Sequence, residues 1–288
     1  MAIIADLPIG AKIKFGTYSV NGEEVHRIRW IKTHRDQTFL SEYLEDQCAF
    51  DAKEPNNRND YRRRYGNNCY SLSNVNQFLC SDKDDWYVPQ HEYDEAPTDE
   101  MLYGGEDGYR GKPGFLRHFE QWELEAIETS EIKTALPNND VDEEKFEIIH
   151  AKVFLPSRTN LTGKEENGVK EGEFWDYFAC GASLKARLSP ECFEYGDRTE
   201  KPNYQDESWY YNLRSPYSGD AFNVRYVDRG GFVGYCYACD GVLGVRPALR
   251  LNPEILISDE PDDDGYYEVL DAAQEIAEIT EEDFFAIL

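Results

Sequence analysis

Between Ser208 and Leu251 the chain reads SWYYNLRSPYSGDAFNVRYVDRGGFVGYCYACDGVLGVRPALRL, and this stretch limits the fold more than any other. It breaks into four short strand-like runs, SWYYNLRSP, AFNVRYVD, GGFVGY and GVRPALRL, parted by Gly, Ser and Asp. The same signal stands near the N-terminus, where GAKIKFGTYSV and EEVHRIRWIKT alternate apolar and polar residues around Asn21-Gly22. That pair between two period-2 segments predicts a β-hairpin. Helical spacing is confined to the middle of the chain. Ser73 is placed to cap a helix carrying Val75, Phe78 and Leu79. A second helix is expected from about Glu120, with Trp122, Leu124 and Ile127 partly facing inward, and a short one in GEFWDYFA. Helices and strands are segregated rather than alternating, so the fold class is α+β.

The 288 residues suffice for one large domain. The expected division is a single domain over residues 1–258, followed at 259–288 by an acidic linker and tail with a short helix at 281–288. A formal net charge of -27 argues against nucleic acid, whose binding needs a cationic surface that releases counterions. It argues equally against an anionic membrane. No apolar run approaches the ~20 residues of a membrane span, and the N-terminus lacks the pattern of a secretion signal. Seven cysteines, an odd and scattered count, imply reduced thiols rather than a disulfide framework.

Six blocks then stand in a telling order: CAFDAKEPNNRNDYRRRYGNNCYSLSNVNQFL, DKDDWYVPQHEYDEAP, GKPGFLRHF, VFLPS, WYYNLRSPYS and GVRPALRL. In this the chain resembles a prophage-associated family of gut-type Firmicutes. Its ending also resembles C-type-lectin-like folds of the formylglycine-generating-enzyme type, which close on a similar Gly-Val/Phe-Arg-Pro strand. That group includes variable proteins diversified by retroelements, among them phage receptor-binding tips. The resemblance implies a lectin-like scaffold with a binding surface near its C-terminal end. It implies a phage-encoded or prophage-encoded protein, located in a virion or in the bacterial cytoplasm before release. Retroelement diversification acts on codons that cannot encode Lys, Glu, Gln, Met or Trp. From Tyr210 through Pro253 none of these five occurs, in a chain otherwise rich in Glu. Burial in a β-rich segment would also deplete them.

The mixture of Tyr, Phe and Arg with Ser, Asn, Gly and Asp suits a recognition surface, with rigid aromatic area beside adaptable hydrogen bonding. The candidate ligand-binding residues are Tyr217, Asp220, Phe222, Arg225, Arg229, Phe232, Tyr235, Tyr237 and Asp240. Their ligand is expected to be a surface protein or a glycan, and a homo-oligomer is compatible with the pattern. Arg214 and Arg246 are read as structural guanidiniums, with Pro247 holding its strand to an edge or a bulge. No catalytic residue and no cofactor is expected. The run DEPDDDG gathers hard oxygen ligands for calcium but lacks the twelve-residue loop with its closing Glu. Glu54-Pro55-Asn56 matches a lectin calcium motif in the wrong place. His91, among acids in HEYDEAP, forms no specific acid–base pattern. Cys236 and Cys239 have no further metal ligands nearby. Two rivals to ligand binding remain. One is a structural or assembly protein of a virion; the other is a copper-dependent or other oxidoreductase, for which the fold type offers a two-cysteine precedent.

Overall fold

The computed structural model describes residues 2–20, 23–137, 145–195 and 200–272. It is a mixed α+β protein built on two main sheets, beside three two-stranded ones, with six short helices among the described residues. The larger sheet orders its six strands as Tyr266–Glu268, Lys12–Val20, Glu23–His34, Thr38–Ser41, Ala248–Arg250 and Val153–Phe154. The smaller orders five as Val233–Tyr237, Asn223–Val227, Tyr211–Pro216, Gly244–Val245 and Asp46–Gln47.

The expected N-terminal hairpin forms, its strands paired up to Val20 opposite Glu23. The Asn21-Gly22 turn lies outside the described residues, as does the helix expected at 281–288. A bulge between Lys14 and Thr17 interrupts the hairpin at Gly16. There φ is +77°, and a Cβ would stand 2.6 Å from the Phe119 ring. Glycine alone meets both demands. The irregularity turns the Gly16 N–H onto the buried Glu123 carboxylate at 3.0 Å, locking the Gln121–Ala126 helix to the sheet.

Side chains alternate across the large sheet, and each face meets its own core. Phe39 and Leu249 enter one cluster with Phe15, Trp30, Phe78, Trp86, Tyr109 and Phe115. Leu40 and Ala248 enter the other with Phe154, Trp175, Trp209, Tyr211 and Leu213. Burial on both faces gives the short central strands adjacent apolar residues, Phe39-Leu40 and Ala248-Leu249, one for each core.

Two expectations are corrected. GVRPALRL is not one strand: Gly244–Val245 closes the smaller sheet, while Ala248–Arg250 lies between two strands inside the larger one. The handover falls on Arg246-Pro247, where no ladder needs the missing proline N–H. Pro247 still contributes its carbonyl, which accepts from the Ser41 N–H at 2.9 Å. Arg246, buried as expected of a structural residue, donates to the Ser41 carbonyl at 3.0 Å and so ties the two sheets. Arg214 is buried too, reaching the carbonyls of Leu155 and Glu171 and the side chain of Asn160.

The second correction concerns the acidic stretch after Ser258, expected as a linker. Leu256–Ile257 pairs with Ala2–Ile3, and Tyr266–Glu268 adds a parallel edge strand beside Lys12–Val20. Lys14 supplies the compensating charge, pairing with Asp262 and with Glu268. The acids therefore sit around a tight turn, where Asp262 accepts from the Tyr266 N–H at 2.9 Å. No helix among the described residues is long and apolar enough to cross a membrane.

Candidate ligand-binding surface

The surface begins with a helix that buries none of its residues, Asp60–Tyr65. Six residues are too few for a helix to persist alone in water, so its anchors matter. Asn59 caps the N-terminus, its side chain accepting from the Tyr61 and Arg62 N–H groups. At the C-terminus Gly66 takes φ +80°, and a Cβ there would meet the carbonyl oxygens of Ala52 and Asp51 at 2.8 and 2.9 Å. Tertiary bonds complete the seat. The Cys239 N–H donates to the Tyr65 carbonyl at 3.0 Å, and the Arg62 Nε to the Ala221 carbonyl at 3.1 Å. Beyond the helix, the Asn68 amide donates to the carbonyls of Asp220 and Asn223. One segment, Asn59 to Asn68, thus holds the loop that enters the Asn223–Val227 strand.

Tyr61 and Tyr65 stand four apart and share one face of the helix. Phe222 stacks on Tyr61 at 4.9 Å and 9°, and lies 5.4 Å from Tyr65. Tyr237 stacks on Tyr65 at 4.1 Å, and Tyr103 follows at 5.6 Å. Five rings from four separate parts of the chain form a continuous ladder. Its ends are open, with Tyr61 at 59% and Tyr103 at 55% exposure. The exposed Arg63 and Arg64 flank it.

A second group lies along the sheet. Arg225 pairs with Tyr235, and Asn223 with Tyr237, so Arg225, Tyr235 and Tyr237 project from one face. Tyr217 stacks on Tyr235 at 4.1 Å, with the Arg225 guanidinium 4.8 Å from the Tyr217 ring. Arg225 is committed to the buried Glu166 by two bonds of 2.8 and 3.0 Å, and Arg158 reaches the same carboxylate at 2.9 Å. Burial alone would raise the Glu166 carboxyl, but the guanidiniums, Arg225 foremost, hold it below its ordinary value.

Of the nine candidates, then, Phe222 and Tyr237 enter the ladder, and Tyr217, Arg225 and Tyr235 the second group. Phe232 is 74% exposed. The Arg229 guanidinium lies 4.0 Å from the Trp209 ring and 5.1 Å from the Tyr210 ring. Asp220 builds the turn, accepting from the Asn223 N–H and side-chain amide. Asp240 is half-buried in a turn beside Tyr103, and burial raises its carboxyl above the ordinary value. None of the nine is buried in the core. The sequence reading missed Tyr61, Tyr65 and Tyr103. The Tyr-x-x-x-Tyr spacing in DYRRRY was the available signal for two of them; nothing marked Tyr103.

Beneath the helix lie two signals set aside in the sequence, Glu54 and His91. The Glu54 carboxylate is wholly buried, accepts from the Asn57 amide and stands 3.3 Å from His91 Nε2. Asp51 is equally buried and accepts from the N–H groups of Asn67 and Asn74; Asp94 accepts from the Asn74 amide. Burial pushes Glu54 up to about 7, and it raises Asp51 and Asp94, with the neighbouring carboxylates adding to the effect on Asp51. Desolvation lowers His91. Glu54 also ties this layer to the helix, its N–H donating to the Arg62 carbonyl at 3.3 Å. Cys236 and Cys239 are free thiols whose burial raises both, Cys239 to about 12. That is the reverse of the thiolate character that metal binding or redox attack draws on. An open groove of 660 Å³ lined by Lys133, Lys145, Phe146, Glu147, Ile148, Gly168 and Val169 contains none of the candidate residues.

A family model described as "Domain of unknown function (DUF6273)" matches residues 35–253, spanning the helix seat, the ladder and the sheet handover. The chain belongs to that family. No curated protein and no solved structure matches it.

Proposed function

We propose that this member of the DUF6273 family is a non-catalytic binding protein that takes a surface ligand, protein or glycan, on its aromatic ladder. The observation that carries the reading is the five-ring stack of Tyr61, Phe222, Tyr65, Tyr237 and Tyr103, held at the surface by a helix that buries no residue of its own. Such rings offer contact area with few rotamers left to freeze, and tyrosine and arginine are the side chains that dominate binding energy. In this reading the scaffold is C-type-lectin-like, and the stretch from Tyr210 to Pro253 descends from a retroelement-diversified ancestor in a phage or prophage. A template repeat in the neighbouring DNA, differing from the gene at adenines, tests that history.

The binding reading is tested on a glycan array and a panel of bacterial surface proteins. Tyr61→Ala and Phe222→Ala should each weaken the selected ligand at least tenfold, the ~1.4 kcal/mol expected of a modest hot spot. Tyr235→Ala with Tyr237→Ala should abolish binding, with the melting temperature of every variant within a few degrees of wild type. Unchanged binding in the Tyr61 variant would sink the ladder as the site. The rival reading as a virion assembly protein is favoured if no array ligand is selected and the same substitutions disrupt particle assembly.

A further inference from the structure

The strand Val233–Tyr237 ends the smaller sheet, and among the described residues no element pairs with its outer side. Which backbone groups face outward follows from two bonds. The Ala238 N–H donates to the Phe222 carbonyl, and the Asp228 N–H to the Phe232 carbonyl, both at 2.9 Å. Between them the register runs unbroken from Asn223 opposite Tyr237 to Val227 opposite Val233. In an antiparallel ladder bonded and non-bonded pairs alternate, so even-numbered residues exchange bonds with the inner strand. Val233, Tyr235 and Tyr237 turn their N–H groups and carbonyls to the open edge. Among the described residues only the Tyr237 carbonyl is engaged there, accepting from the Asp240 N–H at 3.2 Å.

Open edges in monomeric proteins are usually blunted by Pro, Lys, bulges or inward charges. This one carries none of them. From Phe232 to Cys239 there is no charged residue in a chain of net charge -27. Phe232 at 74% and Tyr235 at 51% are among its most exposed large apolar side chains. We infer that the Val233–Tyr237 edge pairs with the same edge of a second copy of this chain, antiparallel about a two-fold axis at Tyr235.

Three features of the strand favour this occupant. The outward residues are symmetric about Tyr235, so the two-fold sets Tyr235 against Tyr235 and Val233 against Tyr237, each a pair that exchanges two main-chain bonds, the Tyr237 carbonyl using the lone pair that the Asp240 N–H leaves. The even positions place Gly234 opposite Cys236, small against small. Two copies that repel strongly elsewhere meet where neither carries charge. Directly opposed residues point to the same side of a sheet, so the aromatic surfaces of both copies come to lie on one face of a continuous sheet. A multivalent ligand would then be held by both, and linked sites can raise avidity by ~10²–10⁴. The pairing itself does not depend on the ligand reading, because its test reads the oligomeric state.

Light scattering on the full chain at rising concentration should show a monomer–dimer equilibrium that moves toward dimer with added salt. Val233→Pro removes an outward N–H and no bond within the sheet. It should melt like wild type yet stay monomeric wherever wild type is dimeric. Tyr235→Lys and Tyr235→Glu should each be monomeric alone, because like charges then face each other across the axis, and should form a one-to-one heterodimer when mixed. A monomeric wild type overturns the inference, as does a dimer that survives Val233→Pro. Lys and Glu variants that fail to pair would overturn the Tyr235-centred register. Protection of the edge amides from exchange only when a partner peptide is added would assign the edge to another chain and overturn self-pairing.

Discussion

Arg225 shows how far a residue type misleads about its role. In sequence it is an arginine in the aromatic, strand-like run AFNVRYVD, a natural contact residue. In the structure its guanidinium is spent on Glu166, which also holds Arg158 and the Ser218 N–H. The carboxylate thus fixes the backbone and the cation beside the Tyr217–Tyr235 stack. Glu166→Gln would leave two guanidiniums without their counter-charge, and about 2 kcal/mol of stability should be lost near neutral pH. The pH dependence has a definite sign. Because the folded protein holds this carboxyl below its ordinary value of 4.5, its contribution is present above that value. It fades as pH falls through the lower folded value. Melting curves of wild type and variant should therefore converge in acid and separate at neutrality. A constant gap at every pH would show that Gln disturbs packing rather than charge.

At the level of elements, the short helix Asp60–Tyr65 depends on what lies under it. Gly66→Ala places a Cβ against two carbonyl oxygens and forces a positive φ. It should cost well over the ~1 kcal/mol of an ordinary Gly→Ala clash with backbone geometry, and should loosen Tyr61 and Tyr65 together. Glu54 gives the seat a pH dependence. Its folded value near 7 lies above the ordinary 4.5, so its stabilising contribution is complete below about 4.5 and is lost as pH rises through 7. Glu54→Gln should flatten the fall in melting temperature that wild type shows over that interval; an identical fall in both proteins would exonerate Glu54. The sequence offered part of this arrangement. Ser73 capping Asn74–Leu79 and the inward Val75, Phe78 and Leu79 were legible because cap and period are local signals. Tyr103 was not, because its contact with Tyr237 is made by a loop returning from elsewhere, and no local pattern records a tertiary neighbour. Glu54 and His91 were legible only as separate motifs for the same reason.

For the whole molecule, the acidic C-terminal stretch is the sharpest case of composition hiding structure. Asp259 to Asp264 reads as a solvated linker, since a run of acids ordinarily repels itself into solvent. What the composition could not reveal is that Lys14, from the far end of the chain, stands ready to neutralise it. The residues just beyond then close the sheet: Tyr266 and Val269 are nearly buried, and Val269 joins the larger core. The Tyr266 hydroxyl donates to Glu42 at 2.5 Å, beside Lys12 and Arg29. A linker and a strand differ in what its removal does. Deleting 273–288 leaves the docked strand in place and serves as the reference truncation. Deleting 259–288 exposes the Lys12–Val20 edge, removes two nearly buried side chains worth roughly 3 kcal/mol together, and strands Lys14 without its carboxylates. The second deletion should lower the melting temperature by several degrees, and the newly open edge should make the protein prone to associate. If both truncations melt alike, the Tyr266–Glu268 strand contributes nothing to closing the fold, and the reading of a single sheet spanning both chain ends is wrong.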